Sequence, residues 1–129
     1  GLLCFPKYPN RRVAMYTESR PWGNFTILYE DSNMKVKQIT VHPEQRLSYQ
    51  YHKRRQERWT IVQGEGIFTL NGVDRVVKAG SLLSIGLGDS HRIKNTGKAN
   101  LIFVEVQLGE YFGEDDIFRI EDDYNRSST

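Results

Sequence analysis

Turn-forming residues divide this chain into short extended stretches, and this division constrains the fold more than any other feature. The clearest turn is Asn71-Gly72, which separates residues 66–70 from residues 73–78. Asn-Gly is strongly preferred in two-residue β-hairpin loops, because both positions need a positive φ angle. Comparable stretches of alternating or β-branched residues lie at 25–29, 36–41, 47–52, 58–62, 81–85, 91–95 and 101–108. About eight to ten short strands without an amphipathic helix predict an antiparallel sandwich or barrel.

The bulk composition is that of one soluble domain. The chain has 129 residues and a formal net charge of +2, and so small a charge does not indicate nucleic acid binding. No apolar run approaches the length of a membrane span, and a single cysteine, Cys4, excludes an intrachain disulfide. We therefore expect a cytoplasmic protein that binds neither nucleic acid nor membranes. The densest basic stretch, residues 53–55, is either a solvated turn or part of a site, and the sequence leaves both open.

The N-terminal residues differ from the rest of the chain. Residues 1–19 show no clean periodicity, and Pro6 and Pro9 interrupt them. We expect residues 1–19 to form an arm packed on the domain and residues 20–129 to form the domain itself.

Four side chains have the types and spacing of a metal site. Gln50 and His52 are two residues apart, so they share one face of a strand. Glu57 follows after enough residues for a turn, and the glycine-containing loop 86–90 leads to His91 at the start of a strand. Two imidazole nitrogens and two oxygens form a donor set of mixed hardness. On spacing alone, such histidines are more often hydrogen-bonded polar residues than ligands, and the third histidine, His42, is expected in a surface loop.

The spacing around these residues resembles the two sequence motifs of cupins, which are small jelly-roll barrels. The first motif reads Gln50-Tyr51-His52, four residues, Glu57, six residues and Gly64. The second motif reads Gly80, five residues, Gly86-Leu87-Gly88, two residues, His91, three residues and Asn95. This chain departs from the pattern in having Glu44 at the leading glycine and Gly86 at the usual proline. The resemblance implies an all-β, cupin-type jelly-roll barrel, an antiparallel double-sheet sandwich.

A narrower resemblance covers roughly residues 20 to 126. The chain is similar to the type II mannose-6-phosphate isomerase family, in which a glutamine replaces the first histidine of the motif, as Gln50 does here. The segments that carry the resemblance are Arg20-Pro21-Trp22-Gly23-x-Phe25, Leu47-Ser48-Tyr49-Gln50-x-His52, Arg55-x-Glu57-x-Trp59, His91-Arg92-Ile93-x-Asn95, Glu105-Val106-Gln107-x-Gly109-x-Tyr111 and Gly113-Glu114-Asp115-Asp116-Ile117. Lys53, Arg54 and Arg58 stand where the family often has histidine, which puts the substrate preference in doubt.

The resemblance implies an activity and a cofactor. It implies interconversion of mannose 6-phosphate and fructose 6-phosphate through an enediolate, with the isomerase alone present because these residues contain no nucleotidyltransferase domain. It also implies a homodimer, a small sugar phosphate as ligand, and one divalent metal ion bound by Gln50, His52, Glu57 and His91. A nitrogen and oxygen donor set suits zinc, manganese, iron, cobalt or nickel.

The resemblance also suggests residues for catalysis and substrate binding. Glu105 is the first candidate for the catalytic base and Lys37 is an alternative proton carrier. The candidate substrate-binding residues are Arg20, Lys53, Arg92 and Gln107. Two alternatives stay open: Glu105 as a buried partner that orients a histidine or arginine, and Arg20 as a salt-bridge residue. Arg92 follows His91, so on a regular strand it faces away from the metal.

Other functions fit the same fold. One is a non-isomerase cupin, either a metal-dependent dioxygenase or a sugar-binding module without catalysis. Another is a structural or interaction role, which predicts that the protein binds no metal.

Overall fold

Two antiparallel β-sheets form the part of the chain that the computed structural model describes, residues 16–126. In chain order the strands are β1 (Tyr16–Arg20), β2 (Gly23–Glu30), β3 (Met34–Val41), β4 (Tyr49–Tyr51), β5 (Arg55–Gln63), β6 (Glu65–Leu70), β7 (Val73–Lys78), β8 (Leu82–Ile85), β9 (His91–Asn95), β10 (Leu101–Gly109) and β11 (Phe118–Glu121). One sheet has the order β1-β2-β3-β10-β5-β8 and the other β11-β4-β9-β6-β7. The predicted all-β class and antiparallel double-sheet architecture are confirmed.

The central strands β5 and β10 change from apolar to polar along their inward faces. Alternate residues are buried on both strands, as expected where one face of a strand faces the core. From the apolar end to the polar end, the facing pairs are Phe103 with Ile61, Glu105 with Trp59, Gln107 with Glu57 and Gly109 with Arg55. The barrel is therefore filled by a hydrophobic core at one end and lined by ionisable side chains at the other.

Trp59 marks the boundary between these two ends. Its ring stacks on Phe103 at a centroid distance of 4.2 Å and meets Phe68 edge-on at 5.4 Å. Its indole nitrogen donates a hydrogen bond of 2.9 Å to a carboxylate oxygen of Glu57. Trp59 can therefore pack its ring in the hydrophobic core while its N–H group stays hydrogen-bonded at the polar end.

The predicted hairpin is present. β6 and β7 pair antiparallel around Asn71 and Gly72, whose φ angles are 47° and 82°. Two successive positive φ angles match the turn type that Asn-Gly favours.

Strand β5 begins earlier than the sequence predicts, at Arg55 rather than at residue 58. Residues 52–54 carry the chain from β4 in one sheet to β5 in the other. Arg55 and Glu57 therefore lie on a strand and point inward together. Inside the barrel, the turn brings Glu57 to within 3.2 Å of His52.

The C-terminal segment closes the polar end. A 3-10 helix, Glu114–Asp116, follows β10, and β11 then pairs with β4. The Phe118 ring stacks on Tyr51 at 5.1 Å. Of the expected N-terminal arm, residues 1–15 lie outside the described residues and 16–19 belong to β1, so the boundary at residue 20 stays a prediction. Within residues 16–126, no helix has the length and apolar character needed to cross a membrane.

Candidate metal centre

Three buried side chains from different strands and loops meet at the polar end of the barrel. They are His52, Glu57 and His91, each no more than 2% exposed. His52 Nε2 lies 3.2 Å from one Glu57 oxygen, and His91 Nε2 lies 4.0 Å from the other. One potential ligand atom from each residue lies within 4.8 Å of the others. Among the described residues, this is the cluster of histidine, cysteine and acidic groups with the geometry to hold a metal ion.

Backbone carbonyl groups fix the orientation of both imidazole rings. His52 Nδ1 donates to the carbonyl of Asp116 at 2.9 Å, and His91 Nδ1 donates to the carbonyl of Asp89 at 2.9 Å. A carbonyl only accepts, so Nδ1 carries the hydrogen in each ring. In a neutral ring the remaining lone pair is then on Nε2, which is the nitrogen that faces Glu57. Hydrogen bonds of this kind typically orient histidines that bind metals.

The protonation states also suit a cation. Burial lowers the pKa of His91 to about 4, so its ring is neutral at pH 7. Burial alone would raise the pKa of Glu57, but the contact with His52 and the positive charge of Arg55 hold it well below its ordinary value. The cluster therefore presents an ionised carboxylate and a neutral His91 ring near neutral pH.

Gln50 lies directly opposite His91, because the two residues are partners between β4 and β9. Its amide nitrogen donates a 2.7 Å hydrogen bond to the Ser48 hydroxyl. In this orientation the amide nitrogen is directed at Ser48, and the amide oxygen is the atom that can act as a ligand. Gln50 lines the same cavity as the three clustered residues.

Arg55 is a functional candidate that the sequence analysis missed. It is 3% exposed, and its Nε donates to Glu57 at 2.8 Å. Its Nη2 lies 3.3 Å from His52 Nε2, and its buried Nη1 has no hydrogen-bond partner within residues 16–126. The signal in the sequence was its position two residues before Glu57, which puts both side chains on one face of a strand.

The donor set fits a divalent ion. Zinc-type ions bind imidazole nitrogen and carboxylate oxygen at roughly 2.0–2.2 Å, so donor atoms that share an ion lie about 3 to 4 Å apart, close to the spacings seen here. The Nε2 lone pair of His52 cannot accept from Arg55 and bind an ion at once. A bound ion therefore has to replace the contact between Arg55 and His52.

The cluster forms one wall of a cavity of about 70 Å³. Of the residues that the sequence suggested, Arg20, Lys37 and Glu105 also line this cavity, together with Gln50 and the three clustered residues. Lys53, Arg92 and Gln107 do not line it. The ammonium group of Lys53 lies over the Phe118 ring at 4.7 Å. Arg92 points to the other side of β9, where it binds the Leu47 carbonyl and Glu121.

Gln107 holds the Glu105 side chain in place without lining the cavity itself. Its amide nitrogen donates a 2.6 Å hydrogen bond to a Glu105 oxygen, and the side chain is fully buried. Burial, aided by the negative charge of Glu57, raises the pKa of Glu105 to about 7, although Lys37 and Arg55 act in the opposite direction. Glu105 can therefore hold or release a proton near neutral pH.

The chain matches the family described as Mannose-6-phosphate isomerase C-terminal over residues 10–122. That match covers most of its length. The chain belongs to this family. The resemblance to the isomerase-type cupins is thereby confirmed, and the domain is related to enzymes.

Two curated relatives show the context in which this domain occurs. Mannose-1-phosphate guanylyltransferase ManC of Salmonella typhimurium is 39% identical over 107 residues, which are 83% of this chain and 22% of that protein. Xanthan biosynthesis protein XanB of Xanthomonas campestris is 42% identical over 108 residues, which are 84% of this chain and 23% of that protein. The chain thus spans less than a quarter of the length of these relatives.

Solved structures confirm the cupin fold. A Klebsiella pneumoniae protein with a double-stranded β-helix domain has a TM-score of 0.69 and 26% identity, covering 77% of this chain and 87% of that chain. A predicted oxalate decarboxylase from Thermotoga maritima has a TM-score of 0.67 and 26% identity, covering 77% and 97%.

The expected isomerase function needs correction. The resemblance predicted that the chain interconverts mannose 6-phosphate and fructose 6-phosphate. That prediction is wrong, because the relatives that carry this domain include proteins named mannose-1-phosphate guanylyltransferase rather than isomerase. A cupin motif predicts a site that can hold a metal ion, whereas the reaction depends on which molecule binds next to that site.

Proposed function

We propose that this domain is a metal-dependent binding site for a mannose phosphate. One divalent ion would be held by His52, Glu57 and His91, with the Gln50 amide oxygen as a fourth ligand. The observation that carries the proposal is the buried cluster itself, with an ionised carboxylate and inward-facing Nε2 atoms. When bound, such an ion supplies a Lewis acid for the oxygens of a sugar. The donor set suits zinc, manganese, iron, cobalt or nickel.

The cavity walls support a phosphorylated ligand. Arg20, Lys37 and Arg55 bring three cationic side chains to the cavity that the cluster lines. Phosphate groups are recognised by arginine and lysine through charge-assisted hydrogen bonds. The buried Nη1 of Arg55 offers an additional donor to a ligand.

Glu105 gives the site the capacity to move a proton. Its raised pKa, about 7, lets the carboxyl group take up or release a proton at neutral pH. The hydrogen bond from Gln107 fixes the position of one carboxyl oxygen. In this proposal Glu105 contacts the bound sugar and Lys37 contributes charge at the cavity mouth.

Mannose is the proposed sugar because a relative of this chain is named for mannose 1-phosphate.

We further propose a homodimer, supported by the edge strands that end each sheet in the described residues, β1 and β8 in one and β11 and β7 in the other. Sedimentation analysis of the purified protein tests this assembly, and a monomer at micromolar concentration would contradict it.

Calorimetry of the metal-loaded protein tests the proposed function. Mannose 1-phosphate and mannose 6-phosphate are titrated separately, with unphosphorylated mannose as the comparison. We expect binding of at least one phosphate ester, weaker binding of mannose, and loss of binding when the ion is removed. His91→Ala should abolish metal and ligand binding, whereas His42→Ala, a change at an exposed histidine, should alter neither. Equal binding with and without metal would overturn the proposal.

A further inference from the structure

An acidic side chain of the protein occupies the cationic mouth of the cavity. Glu114, on the 3-10 helix, lies 3.7 Å from the Lys37 ammonium group and 3.9 Å from the Arg20 guanidinium group. All three residues line the central cavity. Lys37 comes from β3 and Arg20 from β1, so two separate strands converge on this carboxylate.

The two cations are positioned independently of Glu114. Both lie over the same Phe25 ring, Lys37 at 4.2 Å and Arg20 at 4.8 Å from its centroid. A cation over an aromatic face is attracted by the ring. Arg20 is also held by Glu18 at 2.8 Å. The pair of cations is therefore built into the barrel wall, and like charges placed together favour an anion between them.

Glu114 is held less firmly than the cations it contacts. Its two ion pairs are longer than the roughly 2.7–2.9 Å of a charge-assisted hydrogen bond, and its side chain is 51% exposed, compared with 7% for Lys37. The helix itself is anchored elsewhere, because the Asp116 carboxylate accepts hydrogen bonds from the backbone nitrogens of Lys53 and Arg54 at 3.0 and 2.9 Å. The Glu114 side chain can swing outward while the helix stays in place.

The cavity is smaller than a typical ligand pocket, so outward movement of the Glu114 side chain would make room for a ligand. A volume of about 70 Å³ is far below the roughly 300 Å³ or more of typical ligand pockets. Outward rotation of Glu114 enlarges the cavity at its cationic mouth.

We propose that Lys37 and Arg20 form an anion subsite for a ligand phosphate, and that the Glu114 carboxylate fills this subsite until the phosphate replaces it. The inference rests on the proposed function for the nature of the natural ligand. Glu114 acts as an internal competitor, so ligand affinity reflects the difference between phosphate and carboxylate at the same two cations. A phosphate offers more charge and more acceptor oxygens than a carboxylate, which favours the exchange.

Inorganic phosphate titrated into the metal-free protein tests the subsite without involving the metal. Glu114→Gln removes the competing charge and should tighten phosphate binding at least about fivefold, the effect of one like charge at this distance in a largely aqueous setting. The matched control is Glu110→Gln, the same change at a carboxylate that is 74% exposed and pairs with Arg54. It should leave phosphate affinity as in the unmodified protein.

Loss-of-binding variants complete the test. Lys37→Met should weaken phosphate binding in both the unmodified and Glu114→Gln backgrounds, and Arg20→Gln, at a partly exposed position, serves the same purpose if Lys37→Met fails to fold. Equal phosphate affinity in Glu114→Gln and Glu110→Gln, or no phosphate binding in either, would overturn the inference. If metal-loaded protein binds mannose phosphates but Glu114→Gln has no effect, only this inference fails. If phosphate behaves as expected but metal has no influence on sugar phosphates, only the proposed function fails.

Discussion

At the scale of single residues, Glu105 combines full burial with a pKa near neutrality. Its pKa is about 7 in the folded protein against an ordinary value of 4.5. Between these values the folded state binds more protons than the unfolded state. The stabilising contribution of Glu105 is therefore complete below about pH 4.5 and is lost as the pH rises to about 7.

Glu105→Gln should remove this pH dependence because glutamine has a similar shape and does not ionise. We expect the free energy of unfolding of the variant, relative to the unmodified protein, to increase by roughly 3 kcal/mol between about pH 4.5 and pH 8. Urea denaturation of the metal-free proteins across this range measures the difference. Glu110→Gln, at an exposed carboxylate, should follow the unmodified protein. Parallel curves for Glu105→Gln and the unmodified protein would show that Glu105 ionises normally.

Arg55 and a metal ion compete for the same partners. In the metal-free protein Arg55 neutralises the buried Glu57 and contacts His52. Removing one partner of a buried ion pair typically costs about 3–5 kcal/mol. A divalent ion supplies Glu57 with a replacement positive charge, so the need for Arg55 in stability should fall when metal is bound.

Arg55→Met tests this competition. We expect the variant to lose about 3 kcal/mol of stability without metal, to recover most of it with metal, and to bind metal more tightly than the unmodified protein. Arg58→Met changes an exposed arginine on the same strand and should have little effect in either state. A stability deficit that is equal with and without metal would argue against the competition. Thermal unfolding with and without saturating metal provides the measurement.

At this scale the spacing of residues in the sequence predicted the cluster of His52, Glu57 and His91 but not the residues around it. His52, Glu57 and His91 lie at motif positions, so their convergence could be foreseen. Arg55 was harder to identify, because three consecutive basic residues resemble a solvated turn until the start of β5 is known. Because side chains alternate along a strand, Arg55 points into the barrel with Glu57 only if β5 extends back to Arg55.

At the scale of elements, the 3-10 helix Glu114–Asp116 links the cavity mouth to the metal-type cluster. Asp116 uses its carbonyl to orient His52 and its carboxylate to hold the backbone of residues 53 and 54. The same short element therefore positions a candidate ligand, anchors the turn between β4 and β5, and carries Glu114.

Asp116→Ala removes the carboxylate that holds the backbone of residues 53 and 54, but it keeps the backbone carbonyl that accepts from His52. Losing two hydrogen bonds to a buried carboxylate is expected to destabilise the protein by about 2–3 kcal/mol. Metal affinity should also fall, because without its carboxylate the helix no longer holds this carbonyl firmly against His52, and loss of orientation at a ligating histidine typically costs about tenfold or more in metal affinity. Metal titration and chemical denaturation measure the two effects. Asp115→Ala, at the exposed neighbouring residue, should leave metal affinity unchanged; an equal loss in both variants would contradict the role of Asp116.

Strands and turns with a clear sequence pattern were predicted best. The hairpin at Asn71-Gly72 and strand β9 were foreseen because turn residues and β-branched alternation coincide there. β4 is shorter than expected, and β5 begins three residues earlier. The position of the 3-10 helix Glu114–Asp116 over the cavity could not be predicted, since a helix of three residues has no sequence period and its position depends on contacts from distant strands.

At the scale of the whole molecule, the hydrophobic core and the candidate site lie at opposite ends of the barrel. The apolar end is closed by residues such as Phe103, Ile61 and Leu101, each no more than 1% exposed. The polar end buries six ionisable side chains that line the cavity: Lys37, His52, Arg55, Glu57, His91 and Glu105. A rigid sheet on both sides allows these side chains to be held close together.

The chain corresponds to a small part of its longer relatives, yet its described residues contain the whole candidate cluster. The residues that match this chain make up 22% and 23% of the length of two relatives. The alternation of strands determines which residues meet at the polar end, so the fold and the cluster could be predicted from this chain. The ligand could not, because Lys37, Arg20 and Glu114 converge through long-range packing of β1, β3 and the 3-10 helix.

The most direct measurement is the location of a metal ion by anomalous X-ray scattering from crystals of the metal-loaded protein. We expect one ion per chain, roughly 2.0–2.2 Å from Nε2 of His52, Nε2 of His91 and a carboxylate oxygen of Glu57, with the Gln50 amide oxygen completing the protein ligands and Arg55 moved off His52. An ion bound elsewhere, or none at saturating metal with Arg55 still in contact with His52, would contradict it.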